Sequence, residues 1–109
     1  MDYLTEHTCN ATAGDTIIVR DGTYHENVNV NKPHLTIRSE NGADKTIVRA
    51  ANPDDHVFEV TADYVNISGF TVEGATKELG VYLSRADHCE IANSNISKNM
   101  GGNISILFQ

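Results

Sequence analysis

Five histidines, a few acidic pairs, two cysteines and an excess of asparagine are the residues of this chain that could carry chemistry. His7, His25, His34, His56 and His88 are scattered, with no His-x-His pair, no methionine-rich stretch and no cysteine–histidine cluster. A transition-metal site needs ligand nitrogens about 2 Å from one ion, so isolated histidines read as surface residues. Pro53-Asp54-Asp55-His56 puts two carboxylates beside an imidazole, groups that could do acid–base work on a sugar polymer. It lies in a turn-rich stretch, and that favours a solvated loop. Asp63 and Asp87 precede similar apolar segments. As a stacked pair they could bind calcium or accept hydrogen bonds from turn backbone. Cys9 and Cys89 allow either a disulfide or a buried Cys89 acting as a small hydrophobe.

Four Asn-x-Ser/Thr sequons begin at Asn10, Asn66, Asn95 and Asn103. They are candidate glycosylation acceptors. The last three all read Asn-Ile-Ser, so the motif also fits a repeat that reuses one turn-and-strand pattern.

The chain has 109 residues, one domain's worth, and carries a net charge of −7. That charge argues against nucleic acid, which selects clustered Lys and Arg. No apolar run is long enough for direct membrane insertion, and no charged-then-apolar export signal lies within these residues. Val, Ile and Thr number 28 against five Leu and no Trp, beside 11 Asn and 8 Gly. Many β-branched residues among turn formers describe an all-β chain of short strands. Strand patterns follow at Thr16–Val19, Val28–Val30, Leu35–Ile37, Thr46–Ala50, Val57–Val60, Val65–Ile67, Phe70–Val72, Val81–Leu83, Cys89–Ile91, Asn95–Ile96 and Ile104–Leu107. Asp21-Gly22 reads as a turn.

These strands recur at a fixed interval. Asp63 to Val72 aligns with Asp87 to Ile96 at an offset of 24, with Val65, Ile67 and Val72 over Cys89, Ile91 and Ile96. Gly69 falls on Asn93, and both residue types tolerate a left-handed turn. Leu35 and Ile37 form an earlier copy. Phe58-Glu59-Val60, Val81-Tyr82-Leu83 and Ile104-Ser105-Ile106 repeat every 23 residues. Such an echo signals a coil with one turn per repeat. A leucine-rich repeat needs more Leu, a propeller blade is longer, and a sandwich predicts no fixed period. The sequence thus implies a single-stranded parallel β-helix of about four turns, near residues 16–31, 34–60, 64–84 and 88–107. Residues 1–12 form an N-terminal cap or irregular segment, and 13–109 form the coil, a piece of a longer one. His34, Tyr64 and His88 fall in one column, with the two histidines two turns apart and too distant to share an ion.

Outward polar columns are the remaining binding candidates. Thr36, Asn66 and Glu90 line one face and Thr71 and Asn95 another, with Tyr82 as the accompanying aromatic. Such rows can bind extended polysaccharide or can be solvated. Gly102 to Leu107 ends without a polar cap, and open coil ends expose strand edges that favour self-association.

Ala13-Gly14-Asp15-Thr16-Ile17-Ile18-Val19, then Asp21-Gly22-Thr23-Tyr24 and Glu26-Asn27-Val28, resemble the opening of pectin-lyase-like right-handed parallel β-helices. Tyr64 to Gly74 and Gly80-Val81-Tyr82-Leu83-Ser84 resemble NosD-like repeats, as in archaeal, especially methanogen, cell-surface proteins. The resemblance implies a right-handed coil behind a short N-terminal helix, and an extracellular or cell-surface location. It implies little about activity, because one coil hosts lyases, hydrolases, epimerases, binding modules and scaffolds. The hydrolase Asn-Thr-Asp, Asp-Asp and Gly-His-Gly motifs and the arginine-rich pectate lyase signature are missing, so a structural or adhesive module without catalytic residues is the reading. The alternatives are an enzyme fragment acting on acidic polysaccharide through Asp54, Asp55 or the Asp63/Asp87 column, and a periplasmic module associated with copper.

Overall fold

The computed structural model describes residues 3–76, 78–84, 86–97, 99 and 102–107, with Tyr3, Thr5, Glu6, Cys9 and 102–107 described by backbone alone. A helix, α1 (Tyr3–Asn10), precedes twelve short strands: β1 (Thr16–Val19), β2 (Gly22–His25), β3 (Val28–Val30), β4 (Thr36–Ser39), β5 (Thr46–Arg49), β6 (Phe58–Val60), β7 (Asn66–Ser68), β8 (Thr71–Glu73), β9 (Leu79–Ser84), β10 (Glu90–Ala92), β11 (Asn95–Ile96) and β12 (Gly102–Leu107). They form three parallel four-stranded sheets, β1-β4-β7-β10, β2-β5-β8-β11 and β3-β6-β9-β12. The chain visits the sheets in rotation, which makes a parallel β-solenoid of about three turns from β1 to β10. Asp21-Gly22, expected as a turn, leads straight into the edge strand of the second sheet, Gly22–His25, paired with β5 from Gly22↔Thr46 to His25↔Arg49. Its Asp-Gly opening is a corner followed at once by a strand.

The repeat offsets translate directly into register. Ile17, Ile37, Ile67 and Ile91 stack in the first sheet. Val28, Phe58 and Val81 stack in the third, as do Val30, Val60 and Leu83. Alternate residues point inward, and these inward columns are almost wholly buried apart from half-buried Ile91. Phe58 and Phe70 fill the centre, with rings 6.0 Å apart and tilted by 50°.

Helix α1 closes one end of this core. Its Leu4 is 0% exposed and Thr8 is buried. The buried Glu26 carboxylate accepts the Leu4 N–H at 3.1 Å, and Lys32 Nζ donates to the Thr8 carbonyl at 3.4 Å. An anion at the helix start and a cation near its end both complement the helix dipole and satisfy otherwise orphaned backbone groups.

Corners demand unusual backbone. Gly69 and Asn93 both adopt positive φ, 81° and 51°. At Gly69 a Cβ would lie 2.2 Å from the Oγ of buried Ser39 one turn away, whereas at Gly14, φ 95°, it would meet nothing within 4 Å. Gly69→Ala therefore adds a steric clash to the left-handed strain, and Gly14→Ala adds strain alone. Thermal unfolding should show Gly14→Ala costing about 1 kcal/mol and Gly69→Ala costing about 2 kcal/mol or more. Equal losses would contradict the close Ser39 approach.

Candidate functional site

Each connection from the third sheet back to the first turns through a left-handed residue. These are His34 (φ 61°), Tyr64 (φ 60°) and His88 (φ 58°), with Gly14 at the equivalent position before β1. Backbone bonds hold the corner: His34 N donates to the Asp63 carbonyl at 3.1 Å, and Tyr64 N to that of Asp87 at 2.9 Å. Left-handed backbone at a residue other than glycine costs on the order of 1–3 kcal/mol. Ring stacking offsets it. The Tyr64 ring lies 4.8 Å from the His34 ring and 4.7 Å from that of His88, each pair only 8° from parallel. The ring spacing is the strand spacing, so the ladder is a by-product of register. With a phenol between them, the two imidazoles cannot share an ion. What the stack offers to solvent is a row of ring edges, with Tyr64 46% exposed.

A second cluster sits where β5 crosses to β6. Asp55, His56 and Glu59 bring ligand atoms within 4.8 Å of one another. Glu78 Oε2 lies 3.7 Å from His56 Nε2, and the His56 ring stacks on Tyr82 at 4.7 Å. The loop is held from below by Asn27, whose Nδ2 donates to the carbonyls of Asn52 and His56 and whose Oδ1 accepts the Asn52 N–H at 2.7 Å. His56 Nδ1 accepts the Leu79 N–H at 3.1 Å. A neutral imidazole has one N–H, so its proton resides on Nε2, which faces Glu78. Metal ligation at Nε2 would require that proton to move to Nδ1 and break the Leu79 bond. With Nδ1 committed to the Leu79 N–H, the cluster is poorly set up as a transition-metal ligand.

The expected site residues fall on separate faces. Thr36, Asn66 and Glu90 form one outward column on the first sheet, with Thr16 at its start. Thr71 and Asn95 pair on the second sheet, and the Thr71 hydroxyl is engaged, donating to the Ala43 carbonyl at 2.8 Å. Tyr82 is on the third, beside Glu59. The six residues therefore do not converge on one platform. Asp63 Oδ1 accepts the Asp87 N–H at 2.9 Å, a turn-backbone contact. Asn10, Asn66 and Asn95 are exposed, and the Asn103 side chain lies outside the described residues. Cys89 carries a free thiol that donates to the Ala62 carbonyl at 3.3 Å, and the Cys9 side chain is also outside the described residues. Sequence reasoning missed the place of Glu59 and Glu78 beside His56: Glu59 is three residues on, in β6, and Glu78 comes from the next turn, just before β9. It also missed the ring ladder, although the shared column was visible.

Over 87 residues, 80% of this chain, the sequence is 34% identical to a protein called cell surface glycoprotein from Methanothermus fervidus. The match spans only 14% of that protein's length. No family model matches the chain, and no solved structure matches it. The matched relative thus bears on this chain as one stretch of a much larger molecule.

The ladder can be tested at its centre. Tyr64→Ala removes two ring contacts and keeps the left-handed strain, so it should lower stability by about 1–3 kcal/mol. Tyr64→Phe should stay within about 0.5 kcal/mol of the parent, since the ring carries the interaction. Chemical denaturation resolves the two, and equal destabilisation would point to the hydroxyl instead.

Proposed function

We propose that this chain is a structural module of a cell-surface protein, a stiff right-handed β-helix of four coils like those of the pectin-lyase-like and NosD-like groups. The observation that carries this reading is the 34% identity to a cell surface glycoprotein along most of the chain, on a fold whose strands are locked turn to turn. The right-handed sense follows from the strong chiral preference of crossovers between parallel strands. A solenoid transmits position along its axis, because each turn contacts only its neighbours. That suits a spacer that holds outward groups at set intervals outside the cell. Extracellular placement is also consistent with the exposed sequons at Asn10, Asn66 and Asn95.

Polysaccharide binding is the adhesive form of this reading, and the first sheet is the favoured face. Its column of Thr16, Thr36, Asn66 and Glu90 is an uninterrupted polar row of four. Asn66 also heads a sequon, so this column either carries a glycan or leaves Asn66 free to contact one.

Antibody raised against the folded chain should label intact cells of the source organism without permeabilisation, and labelling that appears only after lysis would refute the surface reading. Affinity electrophoresis through gels containing pectate, alginate or a neutral glucan tests adhesion. Retardation of the parent that Asn66→Ala and Glu90→Ala relieve would support the first-sheet face. Unchanged mobility in all three gels would leave the module a spacer alone.

A further inference from the structure

Strand β1 ends the first sheet, and its hydrogen bonds show which groups it leaves unpaired. The Asp15 carbonyl accepts the Thr36 N–H at 3.0 Å and the Val19 carbonyl accepts the Glu40 N–H at 2.8 Å. Backbone groups alternate sides along a strand, so residues 15, 17 and 19 face β4. Thr16 and Ile18 turn their N–H and C=O groups to the open edge. Within β1 the usual devices that blunt an edge are missing: Thr16-Ile17-Ile18-Val19 has no charge and no proline. Ile18 is 42% exposed, one of two large hydrophobic residues so exposed among those described. An open groove of about 550 Å³ runs along it, walled on the far side by His7, Asn10 and Ala11 of α1 and its exit.

We propose that β1 is a self-pairing edge, at which two copies of this chain join antiparallel about a two-fold axis. The edge is self-complementary when two copies run antiparallel. Antiparallel partners exchange both bonds between residues that face each other. Opposing Thr16 with Ile18 of the second copy, and Ile18 with its Thr16, uses the two N–H and two C=O groups that each edge leaves free. On the outer face each Ile18 side chain then covers a threonine, a pair of β-branched residues suited to cross-strand contact. Arg20 lies opposite Gly14, so no like charges meet. The two first sheets become one sheet across the dimer, and the two-fold axis closes the assembly at two copies. A four-residue edge buries less than the roughly 1,200 Å² of a standard interface, so the dimer is weak and transient alone.

The test places a cysteine on the edge. In a Cys9→Ser, Cys89→Ser background, Ile18→Cys should be joined to dimer by a short bismaleimide about tenfold faster than Thr23→Cys, an exposed control on β2, because pairing raises the effective thiol concentration. The second arm uses Ile18→Pro. It deletes an N–H that makes no bond within the chain and so is tolerated at an edge. Sedimentation equilibrium should show a monomer–dimer equilibrium for the parent and a monomer for this variant, with matching circular dichroism. Equal cross-linking rates at positions 18 and 23 overturn the proposal. A parent that stays monomeric at every concentration assigns the edge to a different chain and overturns it too. If Ile18→Pro unfolds, the cross-linking comparison decides alone.

Discussion

The spacing of hydrogen-bonded parallel strands, about 4.8 Å, governs nearly everything else in this molecule. Once Ile37 pairs with Ile67 and Ile67 with Ile91, every side chain in a column sits one strand step from its equivalent. Inside, the step is close to the packing distance of aliphatic groups, so the core fills with Val, Ile and Leu. Outside, it is also a comfortable distance for parallel rings, and His34, Tyr64 and His88 fall into contact without further arrangement. The corner bonds hold the same three residues in a backbone conformation they would otherwise avoid, and the stacking offsets that cost. Strain and stacking are thus two faces of one register.

The same constraint makes the corners intolerant. Ser39 and Gly69 occupy successive turns of one corner, where the buried hydroxyl leaves no room for a Cβ above it. The ends are a different problem, since a coil that repeats perfectly has nothing to stop it. Here α1 covers one end, held by Glu26 at its start and Lys32 near its finish. Both residues come from the first coil and flank β3, so the cap is fastened by the turn it covers. It packs chiefly on β3 and stands across the groove beside β1.

The sequence made the coil legible because its offsets are backbone register: the 24-residue echo is β7 over β10 and β8 over β11, and the 23-residue echo is β6 over β9 and β9 over β12. It concealed β2, where Gly22 and Thr23 carry no hydrophobic alternation and the strand is defined by pairing with β5. The clustering of His56 with Glu59 and Glu78 was hidden for a related reason, since loop geometry rather than period brings them together. The outward residues were identified correctly as columns, but which columns share a face depends on where the chain bends. Those bends are encoded in single residues such as Gly69 and Asn93, too sparse a signal to assign Tyr82 to its sheet.

The coils differ in length although their registers agree. From Thr36 to Asn66 is thirty residues, while from Asn66 to Glu90 is twenty-four. Part of the surplus sits in the stretch between β5 and β6, where the first coil needs only Glu26 and Asn27. Asn27 clamps the base of that longer stretch at Asn52 and His56, so Asn52 to Asp55 stand clear of the strands on a fixed stem. Such a stem separates evolutionary freedom from mechanical integrity. Sequence and length can drift in the protruding tip while the coil beneath keeps its pitch, which makes this corner the natural place for the scaffold to acquire new specificity.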